Sequence, residues 1–237
     1  MQKHKLHDFV LFNFLAKDKE NALDIIDAGN GYVVPGIVAS DYEDIDKGVQ
    51  KVQELKEVAD VISIGLGGGG DPDQAEKVVE IASLSNPGHI NQPFESAAHA
   101  KGFLEGKGVG QLVNALVKPS GDPKKVQLVS GVEIHTEIFL DIAKELGIES
   151  IKFMPLNGET HLKELVYLTK IAAQKGIRGV EPAGGIHSGN IKKIIESVQN
   201  IDIEFFMPHI FGSTIDNETG RTIPEEVNKI IKTVEGL

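Results

Sequence analysis

The sequence predicts an α/β protein, a (β/α)8 TIM barrel, and three observations carry that prediction. Short β-rich runs alternate with amphipathic helical stretches along the chain. Eight strand candidates share 237 residues, a spacing of about 30 residues, the length of one βα unit. No Pro/Gly/Ser-rich linker or shift in composition divides the chain, so one domain over residues 1–237 is expected. An open doubly wound sheet uses the same units and is the rival architecture.

The elements follow in order. Residues 9–15 read as the first strand, and 19–28 as a helix stopped by Gly29. Residues 32–38 form a second strand. In 42–59 the apolar positions Ile45, Val49, Val52 and Leu55 recur every three or four residues, the helical period. A third strand, 60–64, runs into the glycines Gly67–Gly70, and 74–84 is its helix. Residues 89–91 make a short fourth strand and 96–105 a helix, with 101–108 as a loop. Residues 113–118 and 126–129 compete to be the fifth strand. Helix 137–146 ends at Gly147, and 150–154 is the sixth strand. Helix 161–174 has Thr160 as its N-cap and Gly176 past its end. Strand 179–182, helix 189–198, strand 204–208 and a last helix complete the pattern. Thr222 and Glu225 stand in capping-box spacing at the start of that last helix.

Composition excludes several function classes. With 24 Lys and Arg against 35 Asp and Glu the net charge is −11, which leaves no cationic footprint for nucleic acid or an anionic membrane. There is no cysteine, so disulfides, thiolate nucleophiles and cysteine-held metal centres are out. Residues 1–5 are basic and 9–16 apolar, in outline a signal peptide. The run is short, however, contains Asn13, and leads into Lys17-Asp18-Lys19-Glu20 instead of a small-residue cleavage site. A cytoplasmic protein is expected.

Ile151-Lys152-Phe153-Met154-Pro155 sets a lysine inside an apolar strand. Alternation sends Lys152 and Met154 to one face and Ile151 and Phe153 to the other. In a barrel neither face meets bulk water, and desolvation lowers a lysine pKa, giving an amine able to form a Schiff base with a carbonyl. The plain alternative is a strand-end lysine held in an ion pair. Two glycine-bearing segments follow at the ends of later strands: Glu181-Pro182-Ala183-Gly184-Gly185-Ile186 and His209-Ile210-Phe211-Gly212-Ser213. Loops after the seventh and eighth barrel strands commonly hold a phosphate on backbone N–H groups, although each glycine pair alone is an ordinary turn.

Lys152-Phe153-Met154-Pro155 and Pro182-Ala183-Gly184-Gly185-Ile186 resemble the Lys-Phe-Phe-Pro and Pro-Thr-Gly-Gly-Ile motifs of the pyruvate-forming class I aldolases. Those enzymes act on 2-keto-3-deoxy-6-phosphogluconate or 4-hydroxy-2-oxoglutarate. Nearly the whole chain also resembles the smaller KDGP aldolase family of sugar-acid catabolism. The resemblance implies that Lys152 is the Schiff-base lysine, that Gly184, Gly185, Gly212 and Ser213 line a phosphate end, and that no cofactor or metal is required. It implies a homo-oligomer, and a phosphorylated keto acid cleaved to pyruvate and glyceraldehyde 3-phosphate. Two positions depart from the pattern. The stretch 33–38 lacks the Glu and Arg that the better-known family carries near its second strand, and its threonine is Ala183 here. Glu181, on the strand after Lys152, and Glu133 are the candidate proton shuttles.

Rival chemistries remain open. Lys118, in Val117-Lys118-Pro119, competes as nucleophile or binds the substrate phosphate or carboxylate as a point charge. Histidines 89, 135, 187 and 209, with Asp71, fall near strand ends and could gather around a divalent metal, as in a metal-dependent aldolase. Gly65-x-Gly67-x-x-Gly70 matches a dinucleotide fingerprint, but Asp71 and Asp73 follow where a pyrophosphate would lie. A non-catalytic sugar-phosphate-binding barrel is the reading from outside enzymology.

Overall fold

The structure, a computed structural model, describes residues 4–237, so the first three residues of the basic stretch 1–5 lie outside the described residues. Eight parallel strands form one curled sheet: β1 (Phe12–Leu15), β2 (Val33–Val38), β3 (Ile62–Gly65), β4 (Gly88–Pro93), β5 (Leu112–Pro119), β8 (Ser150–Phe153), β9 (Gly179–Pro182) and β10 (Phe205–Phe206). Two short strands, β6 (Lys125–Gln127) and β7 (Glu133–His135), stand off this path as an antiparallel hairpin on β5. The flanks of β1 and β10 are bonded to each other. Leu11 N–H donates to Phe206 O at 3.0 Å, Asn13 N–H to Pro208 O at 2.9 Å, and Ile210 N–H to Asn13 O at 2.9 Å.

Helices α1 (Lys19–Ala28), α2 (Ile45–Lys56), α3 (Ala75–Ser85), α4 (Phe94–Gly106), α5 (Thr136–Glu145), α6 (Leu162–Lys175), α7 (Ile191–Val198) and α8 (Pro224–Glu235) connect the strands. Their local chemistry explains their ends. Asp18 and Asp44 are side-chain N-caps for α1 and α2, accepting from Asn21 N–H and Lys47 N–H. Gly176 ends α6 in the left-handed region, at φ 73°. Among the described residues no helix is long and apolar enough to cross a membrane.

Strand alternation divides the core in two. Ile62, Ile64, Ile90, Val113, Ala115, Val117, Ile151, Phe153 and Val180 point outward into the main apolar cluster shared with the helices. A separate cluster of Leu11, Val34, Leu112, Phe205 and Met207 fills the concave side at the N-terminal ends of the strands. Above that apolar floor the inward positions turn polar. Asn13, Ser63, His89, Asn91, Asn114, Ser150, Lys152, Glu181 and His209 are all buried.

Several elements differ from the sequence expectation. Residues 113–118 win the fifth place as β5, while Val126 joins the hairpin because its neighbours pair antiparallel with 133–135. Residues 101–106 belong to α4 rather than a loop, since a helical glycine is tolerated where Ala97, Ala100 and Leu104 bury the inner face. Thr160 is not the cap of α6, which starts after His161. Thr222 caps no helix either, because its hydroxyl donates to Leu15 O at 2.6 Å.

The Gly184–Gly185 pair is explained by packing. Gly184 has φ 100° and Gly185 φ 69°, both left-handed. A Cβ on Gly185 would lie 2.6 Å from Gly158 N, a backbone atom with no freedom to retreat. Gly185→Ala is therefore expected to destabilise the fold by about 2 kcal/mol or more through strain and overlap together. Chemical denaturation checks this, and an unchanged midpoint would refute the packing account.

Candidate active site

Register brings the polar inward residues together. Lys152 on β8 stands beside Leu116 of β5 and Glu181 of β9, and Ser63 of β3 beside His89 of β4. Lys152 is 5% exposed and Glu181 0%. Every polar atom of this group therefore needs a partner inside the protein.

The partners form a ring. Lys152 Nζ donates to Asn91 Oδ1 at 3.1 Å and to His209 Nδ1 at 3.0 Å. His209 Nε2 donates to Glu181 Oε2 at 2.7 Å, and His89 Nε2 to Glu181 Oε1 at 3.0 Å. The Ser63 hydroxyl donates to His89 Nδ1 at 2.9 Å, and Asn91 Nδ2 reaches Ser63 Oγ at 3.4 Å and Ile64 O at 3.0 Å. Ser150 donates to Glu181 Oε1 at 2.6 Å, and Asn114 Nδ2 to Asn91 Oδ1 at 2.9 Å. A carboxylate only accepts, so both histidines face Glu181 with protonated Nε2, which leaves His209 Nδ1 as the acceptor for the lysine.

Electrostatics follow from this arrangement. Burial pulls the Lys152 amine down to about 8, against an opposing pull from the charge of Glu181. His209 is driven down to about 3, first by burial and then by the charge of Lys152, so its ring is neutral. Burial pushes the Glu181 carboxyl up, but the hydrogen bonds it accepts from His89 and His209 outweigh that and hold it well below the usual carboxylate range. A neutral Lys152 amine has two N–H groups, both met by acceptors, and its lone pair is left free.

Lys152 and Asn91 line a cavity of about 270 Å³, together with Gly67–Gly70, Leu116, Met154 and Phe211. The four glycines all have positive φ, a backbone that other residues rarely adopt, and their loop lines the cavity with the lysine. A Cβ on Gly70 would lie 2.7 Å from Leu116 and 2.8 Å from Met154.

The other residues singled out by sequence are divided between this network and the surface. Glu133 is exposed on the hairpin, where it pairs with Lys125 at 3.2 Å, because 125–135 fold back on themselves rather than into the sheet. Lys118 is half-buried at the end of β5 and opposes Gln127. Gly212 and Ser213 are exposed, with Ser213 Oγ donating to Ile186 O at 2.9 Å. Of the four histidines, 89 and 209 converge, with both ring nitrogens of each engaged, whereas 135 and 187 are exposed. Asp71 caps a short turn, accepting from Asp73 N–H. Among the described residues, no group of three or more His, Asp or Glu is arranged to hold a metal ion. Asn91, Ser63, Ser150 and the pairing of His209 with Lys152 were not found from sequence.

Comparisons with known proteins give the family and the fold. The sequence pattern of the KDGP aldolase family matches residues 6–218. A 2-dehydro-3-deoxy-phosphogluconate aldolase of Salmonella typhimurium (strain 14028s / SGSC 2262) is 35% identical over 237 residues, 96% of each chain. Among solved structures, the tryptophan synthase A-subunit of Pyrococcus furiosus superposes with a TM-score of 0.63 at 14% identity, covering 98% of this chain and 99% of that one. 3-Hexulose-6-phosphate synthase gives 0.57 at 12%, covering 94% and 100%. At such identities these two speak for the fold alone. The chain is an enzyme, a carbon–carbon lyase of the aldolase type. It belongs to the KDGP aldolase family.

Glu181 tests the ring. Glu181→Gln turns one acceptor atom into a donor facing existing donors in a site without water access. Stability is expected to fall by about 3 kcal/mol, measured by urea unfolding. A variant as stable as the parent would show that the three donors do not depend on the carboxylate.

Proposed function

We propose that this chain is a class I aldolase. In this reading Lys152 forms a Schiff base with a 2-keto-3-deoxy sugar acid, such as 2-keto-3-deoxy-6-phosphogluconate, and cleaves it to pyruvate and glyceraldehyde 3-phosphate. The observation that carries it is a buried lysine, lowered to about 8, at the wall of a cavity and hydrogen-bonded to two neutral acceptors. The bonds between the flanks of β1 and β10 support a sheet closed as a (β/α)8 barrel, with the cavity at the C-terminal ends of its strands, where such barrels carry their chemistry.

The Lys152 lone pair attacks the keto carbon while an Nζ proton passes to His209 Nδ1. Glu181, anchored by His89 and Ser150, stabilises the imidazolium so formed. The carbinolamine oxygen takes that proton back from the imidazolium and a second from solvent, and leaves as water to give the iminium. Rupture of the C3–C4 bond sends its electron pair to the iminium nitrogen, releasing the aldehyde and leaving an enamine. Protonation at C3 and hydrolysis then return pyruvate and the free amine. Glu181 thus acts through His209 as a positioning residue.

Borohydride in the presence of pyruvate is expected to add one reduced pyruvyl group, mapped by peptide mass to Lys152. Only the neutral amine attacks, so the initial rate of capture should rise with pH through about 8, where an ordinary lysine would still be charged. Lys152→Met should retain the fold and lose cleavage by about 10⁴-fold or more. Cleavage with no adduct would sink the mechanism, and an adduct on Lys118 would move the nucleophile.

A further inference from the structure

We infer that Asp41 is the general base and acid that acts on the substrate during carbon–carbon cleavage, an inference that rests on the Schiff-base reading above. The reaction must take a proton from the C4 hydroxyl and later deliver one to C3, so it needs a titratable group facing the bound substrate. Among the described residues, Asp41 is the one carboxylate lining the cavity that holds Lys152. It sits in a short turn, Ala39–Asp41, directly after β2, with Ser40 beside it on the same wall.

The other carboxylates are unsuited. Glu181 is fully buried behind Lys152 and His209, does not line the cavity, and has both oxygens engaged by three donors. Glu133 is exposed on the hairpin, against Lys125. Asp71 turns its oxygens to Asp73 N–H and Gln74 Nε2. Asp41 is exposed at the cavity mouth, where bulk water can renew its proton between turnovers. Partial burial raises its carboxyl above the usual value, while Lys17 and the Ser40 hydroxyl pull the other way. A raised carboxyl pKa improves proton return to carbon at neutral pH.

The step balances. The Asp41 carboxylate takes the C4 hydroxyl proton as the C3–C4 bond breaks, C4 becomes the aldehyde carbonyl, and the bonding pair enters the iminium to give the enamine. Protonated Asp41 then gives its proton to C3, regenerating the carboxylate and the pyruvyl iminium. The reverse of that second half is exchange of the pyruvate methyl protons with solvent, which isolates Asp41 from Lys152.

The test measures deuterium uptake into the pyruvate methyl group in D2O by NMR, beside borohydride capture of pyruvate. Asp41→Asn should capture pyruvate on Lys152 as the parent does, yet exchange methyl protons and cleave substrate at least about 100-fold more slowly. Asp41→Glu should restore part of both rates, which a merely structural role would not predict. Capture with exchange at the parental rate in Asp41→Asn would overturn this proposal and leave the Schiff-base reading standing. Absence of any adduct in the parent enzyme would overturn both.

Discussion

A carboxylate with no exposed surface dictates the interior of this enzyme. An isolated ionised carboxylate in an apolar core is far too costly to persist, so Glu181 must be met by donors from several strands. It receives them from His89 on β4, Ser150 on β8 and His209 beyond β10. Those contacts pin the rings of both histidines and fix which nitrogen of His209 is free to accept. The lysine amine is aimed by that nitrogen and by Asn91. Geometry at Lys152 is therefore inherited from Glu181, one hydrogen bond removed. The apolar floor of Leu11, Val34, Leu112, Phe205 and Met207 keeps water from entering beneath.

Environment assigns different tasks to similar groups. Glu181 has its lone pairs occupied and stays ionised, which suits a fixed countercharge and not a group that exchanges protons with substrate. Asp41 instead lines the cavity, is exposed, and has its carboxyl shifted upward by partial burial. The lysine is lowered because burial outweighs a countercharge that neutral His209 keeps at one remove. Direct contact between Lys152 and Glu181 would raise the amine pKa instead, and oppose nucleophilic attack.

Loop chemistry frames the site. The turn after β5 is held from below: Ser120 and Gly121 N–H both donate to Glu164 Oε2, at 2.9 and 3.0 Å, and His161 Nδ1 donates to Glu164 Oε1 at 2.6 Å. This grip fixes the base of the hairpin, and Ser130 N–H donates to Glu95 Oε1 at 2.8 Å near its far end. Gly184 packs on Pro155 and Leu156 and Gly185 on Gly158, so the loops after β8 and β9 are locked together. The strand that carries Lys152 thus ends in a braced segment.

The βα repeat, the strand carrying Lys152 and the face Lys152 shares with Met154 were legible in the sequence, because side-chain alternation and helical period are local properties. That this face is the inward one and is shared with Glu181 came from the register. One more signal was present: polar residues at alternate positions within apolar runs, as at Ser63, His89 and Asn91, Asn114, Ser150 and Glu181, mark a polar interior. Which of them touch was not legible. Sequence gives the face a side chain takes but not the stagger between strands, and stagger decides that His209, 57 residues from Lys152 in the chain, meets its amine. The exposed place of Glu133 was likewise settled by antiparallel pairing of 125–127 with 133–135, a contact that competes with sheet entry only once β5 is in place. Asp41, in a turn just past β2, reached the cavity wall because the curl of the sheet carries that turn to the same opening as Lys152.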